Sequence, residues 1–276
     1  MIRTIVDSSI MLDGGAMNGI VPLPLWSKPH PPDDRGRIEM VSRVTVFRDD
    51  ASGRIWLVEA GMGDGWDGKQ IDIYAIAKVG GGLTAQLGAM GISAEDVTDV
   101  VLTHLHFDHA AGALTHEDGR TRLTFPRANI FVQRSQVDWA LSPSVKDAGS
   151  YREKDIEYLA SCSNVVLLDG SGDLSASVSV TSLRGHTEGM QIVSIREQGQ
   201  EFVVAADLIP LFSHVKIPWI MAYDNQPIVT AAEKAAFLKR AASQGWTVVS
   251  VHDAQTAAAR IEEVGDNQFR YAPVVL

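Results

Sequence analysis

The chain has 276 residues, 45% hydrophobic and 21% charged, with a formal net charge of -10 and a single cysteine, Cys162. This composition excludes a disordered or fibrous chain; the charge argues against a sequence-independent grip on nucleic-acid phosphates, and the lone cysteine excludes both an internal disulfide and a cysteine-rich zinc module. Polar residues interrupt MIRTIVDSSIMLDGG before any signal-like apolar core forms, and no run approaches the roughly 20 apolar residues of a membrane span, so a cytoplasmic protein with a small-molecule partner, and neither a nucleic-acid nor a membrane partner, is expected.

Residues 1–37 read as an N-terminal arm of a single domain covering 1–276. Pro22, Pro24, Pro29, Pro31 and Pro32 make its second half extended and non-helical, a surface wrap or a cover for a site mouth. Such an arm could exchange between subunits, which leaves a homodimer open. From Ile38, IEMVSRVTVF alternates apolar and polar positions, and RIWLVEA follows after the turn-forming Asp49 to Gly53, giving a hairpin. GMGDGWDG is a loop leaving a strand end. A loop and helix are expected between Ile71 and Met90, ending at Gly91, and Ser93 with Asp96 three residues on resembles a helix start. VTDVVLT is a buried strand that runs into His104. ANIFVQ, NVVLLD and VSVTSL then read as strands, with RSQVDWAL and YREKDIEYLA as helices between them. In the last third, QIVSI and EFVVAAD are strands, TAAEKAAFLKRAA a helix and WTVVSVHD a final strand. Strands ending in ligand-type residues occur four times, and the element order of the two halves suggests two β-rich layers with helices outside.

His104, His106, Asp108 and His109 fall within six residues. In an extended segment His104 and His106 point to the same side, so both imidazoles can reach one cation, and a turn beyond them can aim Asp108 and His109 at a second. Burying such a set without a cation would leave many polar groups to satisfy. Imidazole with carboxylate suits zinc, manganese, iron, cobalt or nickel rather than calcium or magnesium alone.

THLHFDHAAG resembles the HxHxDH signature of the metallo-β-lactamase fold hydrolases. GHTEG at 185–189 resembles the family's next histidine loop, AAD at 205–207 the strand end with a bridging Asp, and VHD at 251–253 the terminal His. EAGMGDG resembles the early Asp-Thr-Gly turn, with Glu59-Ala60-Gly61 as a departure. The resemblance implies an α/β fold, a four-layer αβ/βα sandwich of two mixed β-sheets with helices outside. It also implies two divalent metal ions, zinc foremost, with manganese, iron or cobalt as alternatives. His104, His106 and His186 would hold one, Asp108, His109 and His252 the other, and Asp207 would bridge them. The implied chemistry is hydrolysis by a metal-bridging hydroxide, with Asp108 and Asp207 as catalytic residues.

Within the family, the chain resembles most the N-acyl homoserine lactonase and methyl parathion hydrolase-like branch, so opening of a lactone with an apolar arm is the leading expectation. Phosphotriester, aryl ester or thioester hydrolysis is the alternative, and a non-catalytic metal-binding regulator the alternative of another class. Lactonases of that branch place a Tyr three residues after the bridging Asp, where this chain has Pro210; a phenol would then come from Tyr223 or Tyr74, or be absent. Phe212, His214, Trp219 and Tyr223 are candidate substrate contacts, an apolar wall with one polar handle, with strand core as the competing reading.

Overall fold

The computed structural model describes residues 1–276 and follows the sequence pattern strand by strand in most places. The first half contributes β1 (Ile2–Asp13), β2 (Arg37–Asp49), β3 (Arg54–Val58), β4 (Ala77–Lys78), β5 (Asp99–Val101), β6 (Leu114–Glu117), β7 (Arg120–Leu123), β8 (Asn129–Gln133) and β9 (Val165–Leu168). The second contributes β10 (Gly172–Asp173), β11 (Val178–Leu183), β12 (Met190–Glu197), β13 (Gln200–Val204), β14 (Thr247–Val249), β15 (Ala258–Gly265) and β16 (Gln268–Val274). Two seven-stranded sheets result, ordered β4-β1-β2-β3-β5-β8-β9 and β10-β11-β12-β13-β14-β15-β16, with β6 and β7 as a separate hairpin. Both sheets are mixed: β3, β5, β8 and β9 pair in parallel, as do β13 and β14, and the remaining pairs are antiparallel.

Side-chain alternation explains why the central strands are almost wholly apolar. Ile55 and Leu57 of β3, with Ile130 and Val132 of β8, face a helical layer, whereas Trp56, Val58 and Phe131 face the opposite sheet. The outer layer is formed by α4 (Leu83–Ala89), α6 (Arg134–Leu141) and α7 (Glu153–Ser161), which insert Leu87, Val137, Ile156 and Leu159. Across the molecule, Val203 and Val248 face α8 (Pro227–Gln244) through Phe237, Leu238 and Ala241, while Val204 and Val249 face the first sheet. Each such fully buried side chain contributes roughly 1.5–3 kcal/mol. No helix is long and apolar enough to cross a membrane.

The structure departs from the sequence reading in five places. The first third of the expected arm is a sheet strand: β1 pairs along its length with β2. The polar interruption in β1 is an anchor, since the buried Asp7 carboxylate accepts from Met62 N (3.0 Å), Leu83 N (2.8 Å) and Lys78 Nζ (2.9 Å). The proline-rich half is not wholly extended, because Pro22 precedes a short helix, Leu23–Trp26, that buries Trp26. Ser93 and Asp96 make only half of the bonds of a helix start: Ser93 N donates to Asp96 Oδ2 at 2.8 Å, but Ser93 Oγ also donates to that oxygen (2.6 Å) instead of accepting from Asp96 N, and the pair closes a turn that leads into β5. EFVVAAD ends as strand at Val204, with residues 206–208 in a 3-10 turn, and WTVVSVHD is followed by the β15–β16 hairpin rather than being the last strand.

Candidate metal centre

Four strand ends meet at one edge of the two sheets. After β5, Leu102 and Thr103 lead to His104 and His106, and the chain then turns into the short helix Phe107–Ala110, whose two middle residues are Asp108 and His109. His186 follows β11, Asp207 follows β13 and His252 follows β14. Two glycines permit the close approaches this needs. A Cβ on Gly112 would stand 2.0 Å from the Ala60 carbonyl oxygen, so the chain after His109 can lie against the loop after β3 only without a side chain there. A Cβ on Gly185 would stand 2.4 Å from Thr230 N, and its absence seats the His186 loop on the first turns of α8.

The donor atoms converge in two groups. His104 Nε2 and His186 Nε2 each lie 3.1 Å from His106 Nδ1. His109 Nε2 and His252 Nε2 lie 3.0 Å apart, with Asp108 carboxylate oxygens 3.7 and 3.5 Å from them. Asp207 stands between: its Oδ1 is 3.4 Å from His109 Nε2 and 3.1 Å from His252 Nε2, and its Oδ2 is 3.3 Å from His186 Nε2. All seven residues are buried.

Their other nitrogens are spoken for. His252 Nδ1 donates to the Val41 carbonyl oxygen (2.8 Å), His186 Nδ1 pairs with Asp224 Oδ1 (2.8 Å) and His109 Nδ1 with Glu59 Oε1 (3.0 Å). Thr103 Oγ1 gives its proton to Glu59 Oε1 (2.5 Å) and so can only accept from His104 Nδ1 (3.1 Å). With these four Nδ1 atoms protonated, the Nε2 lone pairs of His109 and His252 face each other across 3.0 Å, and those of His104 and His186 face His106 Nδ1 at 3.1 Å. Lone pairs so placed repel unless a cation lies among them. Asp207 Oδ1, buried and without a hydrogen-bond partner, is the acceptor such a cation would satisfy. The donor set therefore fits metal binding on its chemistry as well as its spacing.

Electrostatics agree. Burial first, then the neighbouring imidazoles, hold His104 and His106 well below the ordinary histidine value. Burial would lower His109 too, but Asp108, Asp207 and Glu59 raise it well above that value, so the cluster demands positive charge at this point. Burial opposes ionisation of Asp207, yet His109, His252 and His186 hold its carboxyl well below the usual range.

A cavity of about 250 Å³ opens onto the centre, where His106, Asp108, His186, Asp207 and His252 form its floor. Leu12, Met17, Met40 and Phe107 make one wall, and Tyr74, Lys146, Gly149, Ser150 and Tyr223 complete the lining. Of the four residues expected to contact substrate, only Tyr223 lines this cavity. Phe212 and Trp219 instead border a cleft near residues 25–29 and 269–271, with Phe212 stacked on Tyr271 at 5.1 Å. His214 is enclosed and donates from Nε2 to the Met17 carbonyl oxygen at 2.9 Å. The segment that looked like a pocket wall turns Phe212 and Trp219 into the packing behind the cavity and leaves Tyr223 on its lining. Sequence reading missed Glu59 and Asp224, both buried, as well as Tyr151, whose ring lies 4.9 Å from that of His106. The departure at Glu59 from the expected Asp-Thr-Gly turn was the one signal available; the backbone there is left-handed, at φ 75°.

Residues 39–115 match the family model described as Metallo-beta-lactamase superfamily. An N-acyl homoserine lactonase, AttM, of Azorhizobium caulinodans is 36% identical over 92 residues, 33% of this chain and 32% of that protein. The AttM of Agrobacterium fabrum is 40% identical over 76 residues, 28% of this chain and 26% of its own length. The matched region thus spans a third or less of these curated relatives. Over the whole chain, a probable metal-dependent hydrolase from Staphylococcus aureus superposes with a TM-score of 0.85 at 24% identity, covering 98% of that chain. AidC, a dizinc quorum-quenching lactonase solved with the product N-hexanoyl-L-homoserine, superposes at 0.77 with 20% identity, covering 100% of this chain and 94% of its own. Along its whole length the chain therefore has the fold of these solved structures, and residues 39–115 carry the local likeness to the metallo-beta-lactamase superfamily.

Proposed function

We propose that the protein is a hydrolase that uses two divalent metal ions to open a lactone bearing an apolar arm. The observation that carries this reading is the convergence of seven buried donor residues, five of them on the floor of a cavity with one apolar wall. In it, His104, His106 and His186 would hold one cation and Asp108, His109 and His252 the other, with Asp207 shared between them. Bound there, the ions would supply Lewis-acid polarisation of the scissile carbonyl and a lowered pKa for water. Zinc is the ion named for the structural neighbour AidC, and the local kinship to AttM supports the lactone over the phosphotriester, aryl ester and thioester.

The protein's own residues do the remaining work. Glu59, Asp224, Thr103 and the Val41 carbonyl hold four imidazoles in a single tautomer, so little reorganisation is needed when substrate arrives. Ser42 Oγ donates to the Asp108 backbone oxygen at 2.6 Å and fixes the turn that presents this carboxylate to the cavity. Asp108 is thereby positioned to accept the proton released as water adds to the carbonyl and to return it to the alkoxide when the ring C–O bond breaks. Leu12, Met17, Met40 and Phe107 receive the apolar arm and exclude water.

The test is metal analysis and turnover on the same preparations, loaded in turn with zinc, manganese, cobalt and iron. Two equivalents of metal and a preference for lactones over phosphotriester, aryl ester and thioester substrates are expected. Two bound equivalents with no hydrolysis of any of these would overturn the enzymatic reading and favour a metal-binding regulator.

A further inference from the structure

Lys146 is the only lysine or arginine lining the cavity, and the chain as a whole is acidic, with a net charge of -10. Its position is built. The loop after α6 is tied down by the buried Asp147 carboxylate, which accepts from Trp139 Nε1 (2.8 Å), Ser144 Oγ (2.7 Å) and Asn225 Nδ2 (2.6 Å). Lys146 Nζ in turn donates to the Tyr223 carbonyl oxygen at 2.7 Å and lies 3.4 Å from Asn225 Oδ1. No carboxylate forms a salt bridge with it. An ammonium carries three N–H donors, so at least one is left without a protein acceptor beside the site. Partial burial lowers its pKa, and the attraction of Asp224 and Asp147 opposes that loss. A partly desolvated donor of this kind forms a stronger hydrogen bond than one in open water.

The lining is therefore two-sided. Leu12, Met17, Met40 and Phe107 offer no hydrogen-bond donor, whereas Lys146, Ser150 and the Tyr74 and Tyr223 hydroxyls do, and of these only Lys146 is a cation. A simple alkyl lactone would leave the ammonium unanswered.

We infer that Lys146 is a specificity-determining residue whose ammonium takes an acceptor oxygen carried next to the reacting ring, the amide carbonyl of an N-acyl arm, and so selects N-acylated lactones over alkyl lactones. The inference rests on the lactone reading above and deepens it. Lys146 contacts the substrate without taking part in bond making, so its loss acts on KM and not on kcat.

The experiment compares kcat and KM of the zinc-loaded protein, K146M and K146R on N-hexanoyl-L-homoserine lactone and on an alkyl γ-lactone of matched chain length. K146M is expected to lose about tenfold in kcat/KM on the N-acyl substrate, the size of a hydrogen bond to a charged group in a partly exposed site. The loss lies in KM, alkyl lactone turnover is unchanged, and K146R recovers most of the preference. Equal loss on both substrates would show that Lys146 only holds its loop to Tyr223. Unchanged kinetics on both, or a loss confined to kcat, would equally overturn the inference while leaving the lactone reading standing. Turnover of neither lactone by the unsubstituted protein would overturn the lactone reading and this inference with it. Because Lys146 is exposed at one end, K146M is expected to fold, and its melting temperature checks this.

Discussion

His214 and the five histidines of the metal centre are buried alike, yet their ring nitrogens meet opposite fates. Both nitrogens of His214 have protein partners, the Met17 carbonyl oxygen at 2.9 Å and Ser213 Oγ at 3.3 Å, and burial, helped by the nearby Lys234, pushes its pKa down to about 3. It is a neutral packing residue. At the metal centre one nitrogen of each of four rings is satisfied by an acceptor, and the other is aimed at a neighbouring imidazole or at Asp207. Burial alone does not distinguish ligand from core; the unanswered lone pair does.

The comparison breaks most visibly at Asp207. Asp207→Ala removes the one group that faces both donor clusters, and metal content measured by atomic absorption together with turnover should fall in concert, activity by about 10³-fold. Retained activity would mean that the unanswered lone pairs do not mark the working site. A smaller effect is expected one layer out. Glu59→Gln keeps the shape but weakens the acceptor beneath His104 and His109, and metal affinity from competition with a chelator should drop by about 10–100-fold with the fold intact.

The smallest effect is on stability, at the other pole of the comparison. The folded state keeps His214 neutral far below the ordinary value near 6.5, so as pH falls the unfolded chain takes up the proton first. Its contribution is complete above pH 6.5 and is lost progressively from there down to about 3. Between pH 6.5 and 5 that is up to about 2 kcal/mol. In His214→Asn this slope is absent, while the metal-centre histidines contribute equally to both proteins. Denaturant titrations at the two pH values, read as the difference between parent and variant, check it; parallel pH curves would show that His214 is not held neutral.

The parts of this arrangement differ in how far they could be read from the chain. His104, His106, Asp108 and His109 declare themselves because their geometry is set over six residues by an extended segment and one helical turn. Glu59 and Asp224 do not, since each meets its histidine from a loop distant in sequence, and only the packing of the two halves brings them together. β1 was obscured by the polar Asp7 and Ser8, whose partners Met62, Lys78 and Leu83 lie far along the chain. Phe212 and Trp219 show the converse: an aromatic run signals burial, but which side of a layer it faces depends on what packs there, here Tyr271 for Phe212 and the cluster around Trp26 and Met221 for Trp219. The two-layer β architecture itself was legible, because buried strands and amphipathic helices carry their periodicity locally.

The donor residues are drawn from both sheets, His104 to His109 from the first and His186, Asp207 and His252 from the second. The chain has no disulfide, its one cysteine being free. Cations held from both sides would thus serve as rivets across the seam between the sheets, and since the dispersed side chains of an unfolded chain offer no comparable grip, occupancy and folding become one equilibrium. Starved of metal, such a protein loses its clasp as well as its chemistry.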